Sequence, residues 1–272
     1  MKTLRVAVWL ILLLTLRLAG QGLGQIFPPF NDEHWNGHFG AIKLPPKSTA
    51  LWRTIGSGFV FGSKKDVVTC AHVALGAFSR GETNLFYSAQ GLVPPVRELK
   101  LKYVLPRYDL AVLQPSPAIP GEPMVIGDFK RMRPGDKLFY FGFDTRFSTP
   151  QLPAGRMNEA IVAATGSAMN EGVVIDFLEF EGAGIPGYSG GPVFNAKAEL
   201  VAVMREAWTK KGVSGGPEIL INRAFSLEIL QVLDGQVFQR VLPQVVTNQA
   251  GSSLLDVLDI PNSPAVRAVT NR

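Results

Sequence analysis

The stretch SGFVFGSKKDVVTCAHV, residues 57–73, contains two short runs of apolar residues separated by a turn. Valine and phenylalanine dominate both runs, and side chains of this kind favour β-strands. The pair Gly62-Ser63 between the runs is typical of a tight turn. The pattern therefore predicts two neighbouring strands, the second of which ends next to His72.

The same alternation of apolar runs and turn residues continues along the chain and predicts eleven short strands. They lie at 57–63, 66–71, 84–89, 98–105, 109–114, 136–143, 155–166, 173–180, 191–196, 199–206 and 218–224. Many short strands with short links favour two antiparallel barrels over one sandwich, and the lack of strand–helix alternation argues against a parallel sheet. One helix follows, with Ser226 as its N-cap and Asp234-Gly235 at its end. We therefore expect an all-β fold with a C-terminal helix packed on the second barrel.

The N-terminus has the three parts of a secretory signal peptide. Residues 1–24 combine a basic start, an apolar run and an end rich in small residues. The apolar run, residues 6–16, is too short to span a bilayer, which needs roughly 20 residues. We expect export to the periplasm or the exterior, with cleavage after Gly24 or after Gly20 and no stable membrane anchor. An uncleaved anchor is the alternative.

The composition excludes several classes of function. Of the 272 residues, 46% are hydrophobic and 18% are charged, which is sufficient apolar content for a packed core. Removal of the predicted signal peptide, with its three basic residues and no acid, lowers the formal charge from +5 to +2. Because no basic run follows, we expect neither nucleic acid nor anionic lipid as a partner. Cys70 is the only cysteine, so an internal disulfide framework is excluded.

Three segments carry the parts that nucleophilic acyl transfer requires: a hydroxyl, a base that activates it and a group that orients the base. His72 follows the strand that ends in TCA, Asp109 opens the strand DLAVL, and Ser189 lies in the glycine-rich turn GYSGGP. Each residue alone has an ordinary explanation, as a solvated histidine, a turn aspartate or a turn serine. Their combination, in this order and in these local contexts, predicts a catalytic triad.

The positions of the histidines limit the alternatives. GYSGG also matches the G-x-S-x-G turn of α/β-hydrolases, but those enzymes need a histidine after the serine. All three histidines of this chain precede Ser189, and the glycine-rich segments of a subtilisin-like site are absent. His34 and His38 are four residues apart, but the glycine and asparagine between them argue against a helix that would align them. We therefore expect no metal site and no cofactor.

These segments resemble those of trypsin-like serine proteases. TCAHV resembles their T-x-A-H segment, YDLAVL their D-[IL]-A-[VL]-[LV] segment, and GYSGGPVFN their G-x-S-G-G-P segment. The stretch VIGDFKRMRPGDKLFYFGF, residues 125–143, more specifically resembles proteases of the HtrA/DegP type. The resemblance covers about residues 50–222. It implies two six-stranded antiparallel barrels with the site in the cleft between them, and a serine endopeptidase that acts on polypeptides through an acyl-enzyme.

The resemblance also implies roles for individual residues. His72 would accept the proton of Ser189 and pass it to the leaving amine, while Asp109 would orient His72. The backbone N–H groups of Gly187 and Ser189 would form the oxyanion hole. The substrate pocket would be bordered by two loops, with the residues Ala183, Ile185, Arg205, Glu206 and Ala207. Because the first loop has no acid, we expect small or medium apolar residues before the scissile bond. Pairing of Arg205 with Glu206 at the rim is an alternative for those two side chains.

Two departures from the family pattern concern activation and redox chemistry. Tyr188 stands where digestive and clotting enzymes have the aspartate that pairs with a new N-terminal amine after zymogen cleavage. Activation by that ion pair is therefore excluded. We interpret Cys70 as a small buried apolar residue, and an oxidation-sensitive thiol beside the site is the alternative.

We expect the chain to divide into a signal peptide (1–24), an irregular lead-in (25–44), a trypsin-like peptidase domain (45–235) and a C-terminal tail (236–272), whose last part looks loosely ordered. Too few residues follow the helix for the PDZ module that HtrA-type enzymes commonly carry. A binding or chaperone-like module on the same scaffold, with gated or absent proteolysis, is the main alternative function. An esterase or another acyltransferase is a third, and the oligomeric state stays open.

Overall fold

The computed structural model describes residues 38–45, 52–63, 65–82, 84–89, 96–119, 124–145, 155–210 and 218–233. These ranges contain twelve strands and two α-helices. The strands are β1 (Phe39–Leu44), β2 (Arg53–Phe61), β3 (Asp66–Cys70), β4 (Leu85–Ala89), β5 (Arg97–Leu105), β6 (Leu110–Ser116), β7 (Lys137–Phe143), β8 (Gly155–Asn170), β9 (Val173–Glu181), β10 (Pro192–Asn195), β11 (Leu200–Lys210) and β12 (Ile219–Ser226). The helices are α1 (Ala71–Phe78) and α2 (Glu228–Leu233).

The strands close into two six-stranded barrels. The first has the order β1-β2-β3-β6-β5-β4 and the second the order β10-β11-β12-β9-β8-β7, and all neighbouring strands pair antiparallel. Each predicted strand has its counterpart, within a few residues at the ends. The prediction of an all-β double barrel is therefore confirmed.

The lead-in predicted for 25–44 is wrong over its last six residues, which form β1. All six are buried, and Phe39 pairs with Phe59 of β2. A Cβ at Gly40 would lie 2.5 Å from the ring of Tyr87, so this glycine allows β4 to approach β1 closely. Gly40 thus reflects strand packing and not an irregular segment. Residues 25–37 lie outside the described ranges.

Aromatic side chains join the two barrels. The ring of Phe39 in the first barrel lies 5.0 Å from that of Phe141 and 5.5 Å from that of Phe194, both in the second barrel. All three residues are almost fully buried. Burial of rings this large contributes strongly to stability, so this contact fixes the two barrels relative to each other beside the cleft.

The sequence predicted the helix α2 but not the helix α1. For α2, Ser226 acts as expected, because its Oγ accepts a hydrogen bond of 3.2 Å from the backbone N–H of Glu228. Leu230 in this helix is buried. By contrast α1, which begins right after Cys70, was not predicted. No helix within the described ranges has the length and apolar character needed to cross a bilayer. The predicted signal peptide and the tail 236–272 lie outside the described residues.

Candidate active site

The first barrel carries a histidine–aspartate pair at the junction of β3, α1 and β6. His72 lies in the first turn of α1, and Asp109 precedes β6 with a left-handed φ of 53°. The Asp109 carboxylate accepts two hydrogen bonds from His72: 2.9 Å from its backbone N–H and 2.8 Å from Nδ1. The carbonyl of Asp109 accepts a further bond of 2.9 Å from the N–H of Ala71. The start of α1 and the aspartate thereby fix the orientation of the imidazole.

A third donor reaches the same carboxylate from the second barrel. Arg205 Nε lies 3.1 Å from Asp109 Oδ2, the oxygen that also bonds His72 Nδ1. Asp109 is buried, and the guanidinium of Arg205 stacks on the ring of Phe225 at 4.5 Å. Charge-assisted hydrogen bonds of this kind are stronger than neutral ones. Both His72 and Arg205 therefore stabilise the buried Asp109 carboxylate by hydrogen bonds to its Oδ2.

Ser189 lies in the turn that enters β10. Its backbone carbonyl accepts a 2.9 Å hydrogen bond from the N–H of Ser57, and the next N–H, that of Gly190, bonds the Met204 carbonyl at 2.8 Å. The Ser189 hydroxyl donates to the carbonyl of Arg205 at 3.1 Å. Among the described residues it makes no hydrogen bond with His72. Rotation about one side-chain bond is enough to redirect a hydroxyl, and such contacts often tighten only when substrate binds.

The turn before Ser189 is held by Thr145 and contains two backbone N–H groups without acceptors among the described residues. The carbonyl of Pro186 accepts hydrogen bonds from the backbone N–H and from Oγ1 of Thr145, at 3.0 and 2.9 Å. Because the C=O and N–H of one trans peptide point in opposite directions, the N–H of Gly187 points away from Thr145. Within the described residues, neither this N–H nor that of Ser189 donates a hydrogen bond. Two backbone donors next to the hydroxyl are therefore available to a bound oxygen.

Gly187 is required at this turn. Its φ is +103°, a value that L side chains rarely adopt. A Cβ at this position would collide with the carbonyl oxygen of Phe143. A side chain at this position would therefore force the turn to rearrange.

Sequence reasoning missed Ser57, which is completely buried in β2. Its hydroxyl donates to the carbonyl of Gly187 at 2.6 Å and accepts from the N–H of Phe143 at 2.9 Å. Its backbone N–H also bonds the Ser189 carbonyl, so this residue of the first barrel holds the Ser189 turn of the second barrel at two carbonyls. The only sequence feature at this position is a serine between two glycines, and this pattern does not by itself indicate a functional role.

A cleft of about 190 Å³ adjoins Ser189. Four of the five residues predicted for the pocket line it: Ile185, Arg205, Glu206 and Ala207. The prediction is wrong for Ala183, which is not among the lining residues and whose backbone is hydrogen-bonded to the Tyr140 hydroxyl. Burial raises the pKa of Tyr140 to about 12, and this hydrogen bond opposes the shift.

The alternative that Arg205 and Glu206 pair with each other is wrong. Arg205 binds Asp109, and Glu206 accepts a 3.0 Å hydrogen bond from Arg223. The pairing of β11 with β12 shifts by one residue between Met204 and Glu206, so Arg205 is the extra residue of a β-bulge, which turns its side chain away from the regular pattern. The two side chains therefore find different partners.

Cys70 is buried, as expected for a small residue of the core. Its Sγ lies 3.2 Å from the carbonyl of Met204. Burial and the nearby Asp109 charge raise the pKa of the Cys70 thiol well above its usual range, which favours the unreactive protonated form.

Ligand atoms of Cys70, His72 and Asp109 lie within 4.8 Å of one another. A cation there would face the guanidinium of Arg205 and a thiol that resists deprotonation. This donor set is therefore a poor fit for a metal ion. Of the histidine pair considered from the sequence, His34 lies outside the described residues.

Comparisons with known proteins agree with this geometry. A family model described as the trypsin-like peptidase domain matches residues 56–203. The chain is 28% identical over 270 residues to a protein of Marinomonas sp. (strain MWYL1) named "Probable periplasmic serine endoprotease DegP-like", with coverage of 92% of this chain and 53% of the relative. A Bartonella henselae protein of the same name is 29% identical over 180 residues, or 65% of this chain and 33% of the relative. The chain thus spans a third to about half of the length of these relatives.

Solved structures show the same fold. The HtrA-type protease AlgW with a decapeptide has a TM-score of 0.55 at 17% identity, over 75% of this chain and 65% of that chain. The MamO protease domain from Magnetospirillum magneticum has a TM-score of 0.50 at 15% identity, over 72% and 95%. The resemblance to HtrA/DegP-type domains expected from the sequence is confirmed.

Proposed function

The chain belongs to the trypsin-like peptidase family, and we propose that it is an exported serine endopeptidase that cleaves polypeptides through an acyl-enzyme on Ser189. The observation that carries the proposal is the 2.8 Å bond between His72 Nδ1 and Asp109, next to a serine turn with two available N–H donors. Export is supported by the signal-peptide pattern of residues 1–24 and by relatives named as periplasmic.

The first chemical step uses the protonation state that Asp109 favours. A carboxylate at Nδ1 holds the proton on that nitrogen and leaves the lone pair of Nε2 free to act as a base. The side chain of His72 is half exposed, so substrate and serine can reach it from the cleft. Ser189 Oγ leaves the carbonyl of Arg205, gives its proton to Nε2 and bonds to the substrate carbonyl carbon.

The charge that develops on the substrate oxygen is then stabilised by the N–H groups of Gly187 and Ser189. His72 transfers its proton to the leaving amine, the C–N bond breaks and the acyl group stays on Ser189. Water, activated by His72 in the same way, releases the acyl group as a carboxylic acid and restores the serine. Asp109 stabilises the imidazolium in both halves of the reaction.

The orientation of the Pro186–Gly187 peptide favours this function over a module whose proteolysis is gated or absent. A gated turn would have to rearrange its backbone before its donors faced a substrate. Here the Pro186 carbonyl is already held by Thr145, and the N–H groups of Gly187 and Ser189 have no acceptor among the described residues. We therefore propose an enzyme that is active without an activator.

A fluorophosphonate probe tests the proposal, because it labels only a serine that a neighbouring base activates. Purified protein is incubated with the probe, the labelled peptide is located by mass spectrometry, and cleavage of an unfolded polypeptide is followed in parallel. We expect label on Ser189 and new peptide termini, both lost in Ser189→Ala and His72→Ala. Labelling with hydrolysis of simple esters but no peptide cleavage would favour an esterase. If the probe did not label the native protein, the proposal that the chain is a serine hydrolase would be refuted.

A further inference from the structure

Asp109 follows a short 3-10 turn, Pro106–Tyr108, that connects β5 to β6. The N–H of Asp109 bonds the carbonyl of Pro106 at 3.0 Å, and its own backbone is left-handed. A residue with a side chain adopts this conformation only where the surrounding structure holds it there. The position of the proposed triad aspartate therefore depends on what holds the turn.

The hairpin formed by β8 and β9 in the second barrel reaches this turn. Nδ2 of Asn170, the last residue of β8, donates a 2.6 Å hydrogen bond to the carbonyl of Arg107. The strands stay paired to the end of the hairpin, where Asn170 lies opposite Val173. The loop between them is only Glu171 and Gly172, with φ of 48° and 83°, as in the tight turns that match the twist of paired strands. The hairpin therefore presents the Asn170 amide in a defined position.

The same hairpin makes a second contact with the turn. Tyr108 is half-buried and packs against an apolar cluster formed by Val173, Ile175 and Phe225, the first two of which belong to β9. Two successive residues of the turn are thus held from the second barrel, Arg107 by its carbonyl and Tyr108 by its ring. None of these residues lines the cleft at Ser189. The hairpin therefore reaches the site from behind Asp109 and not from the side on which substrate would bind.

We propose that Asn170 is a positioning residue, whose amide holds the turn before Asp109 and so keeps the Asp109 carboxylate in register with His72. One carboxylate accepts both the backbone N–H and Nδ1 of His72, so a displaced turn lengthens both bonds together. A misplacement of ~1 Å caused by a residue far from the chemistry can lower a rate on the order of 100-fold. The catalytic consequence rests on the proposed function, whereas the structural one does not.

Asn170→Leu tests the catalytic consequence, because leucine has nearly the shape of asparagine and no donor. Loss of one hydrogen bond to the turn should lower kcat about three- to tenfold and leave KM unchanged, since the amide lies outside the cleft. The value of kcat is counted per site labelled by the fluorophosphonate, so that unfolded molecules do not enter it. An unchanged kcat would overturn the proposal, and so would a raised KM at constant kcat, which would place Asn170 at the substrate.

Two further variants assign the effect to the amide. Asn170→Gln keeps the donor and should recover most of the lost kcat. Ser167→Ala is the matched control, because the Ser167 hydroxyl bonds Asp176 at 2.6 Å across the same hairpin and does not reach the turn. An equal loss of kcat in Ser167→Ala would assign the effect to the stiffness of the hairpin and overturn the role of Asn170. If Asn170→Leu does not fold, Asn170→Ala removes the same donor without added bulk and takes its place.

Amide hydrogen exchange tests the structural consequence without any turnover. The N–H groups of Ala71 and His72 both donate to Asp109, one to its carbonyl and one to its carboxylate, so their exchange reports how firmly Asp109 is held. In Asn170→Leu both should exchange about fivefold faster or more, while the N–H of Ser57, which bonds across the cleft, should keep its rate. Unchanged exchange at Ala71 and His72, or an equal increase at all three amides, would overturn the proposal.

The two measurements separate this inference from the proposed function. Faster exchange at Ala71 and His72 in a protein that never cleaves a peptide would support the positioning role of Asn170 and refute the peptidase. A native protein that cleaves peptides, with kcat and exchange both unchanged in Asn170→Leu, would refute the positioning role and leave the peptidase intact.

Discussion

The two barrels hold their parts of the site in different ways. In the first barrel the acid–base pair is saturated, because the Asp109 carboxylate accepts three hydrogen bonds before any substrate is present. In the second barrel the Ser189 turn keeps two N–H groups without acceptors among the described residues and places its hydroxyl on a backbone carbonyl. If the proposed mechanism holds, the residues that transfer protons are held in position by hydrogen bonds within the protein, while the donors proposed to contact substrate are left without acceptors.

Two side chains cross between the barrels and connect these parts. Ser57 of the first barrel bonds the carbonyls of Gly187 and Ser189, and Arg205 of the second barrel bonds Asp109. A substitution in the Ser189 turn alters the part of the site that the second barrel carries. A substitution at Ser57 or Arg205 instead alters how the parts from the two barrels are positioned relative to each other. The variants below separate these effects.

Gly187→Ala should have the largest effect, because it destroys the donor turn itself. The φ of +103° is strained for alanine, and the new Cβ would collide with the carbonyl of Phe143, so the turn must rearrange. Loss of one oxyanion donor typically lowers kcat on the order of 100- to 1,000-fold. The change is measured with a fluorogenic peptide, together with the rate of fluorophosphonate labelling.

Gly135→Ala is the matched control for that variant. Its φ is +96°, but nothing lies within 4 Å of the added Cβ. Its backbone strain should lower the Tm slightly and leave kcat unchanged. If both glycine variants lost the same activity, general strain and not the oxyanion turn would be the cause.

Ser57→Ala should have an intermediate effect, because it loosens the turn without removing a donor. The N–H of Phe143 and the carbonyl of Gly187 each lose a buried partner. At about 1 kcal/mol per hydrogen bond, we expect kcat/KM to fall about tenfold and the free energy of unfolding to fall by roughly 2 kcal/mol. Steady-state kinetics and urea unfolding measure the two quantities.

The exposed Ser79 provides the control for Ser57, because it follows the end of α1 and, among the described residues, its hydroxyl bonds only the carbonyl of Gly76. Ser79→Ala should change neither quantity appreciably. A Ser57→Ala protein that is destabilised but fully active would contradict the role of Ser57 in positioning the turn.

These effects also mark how far the sequence could predict the site. His72, Asp109 and Ser189 each sit in a local motif, and strand periodicity located eleven of the twelve strands. Ser57 and Arg205 have no such signal, because their partners lie 130 and 96 positions away in the chain. Their roles exist only once the barrels are packed together.

The sequence also failed to predict β1 and α1. The sequence does not predict β1, because a glycine at position 40 weakens the strand pattern. The reason for this glycine, the ring of Tyr87 packed against it, is visible only in the folded structure. The helix α1 has eight residues with a glycine in its last turn, too short for a clear helical period.

Arg205→Met should have the smallest effect, because it removes one of the three donors to the Asp109 carboxylate and leaves both of those from His72. Arg205 is partly exposed to solvent, so the lost ion pair contributes modestly and we expect kcat/KM to fall about two- to fivefold. Steady-state kinetics with the fluorogenic peptide measure the change. Arg205→Lys keeps the charge and should retain more activity than Arg205→Met. If the two variants lost activity equally, Arg205 would act by packing its guanidinium on Phe225 and not by its charge.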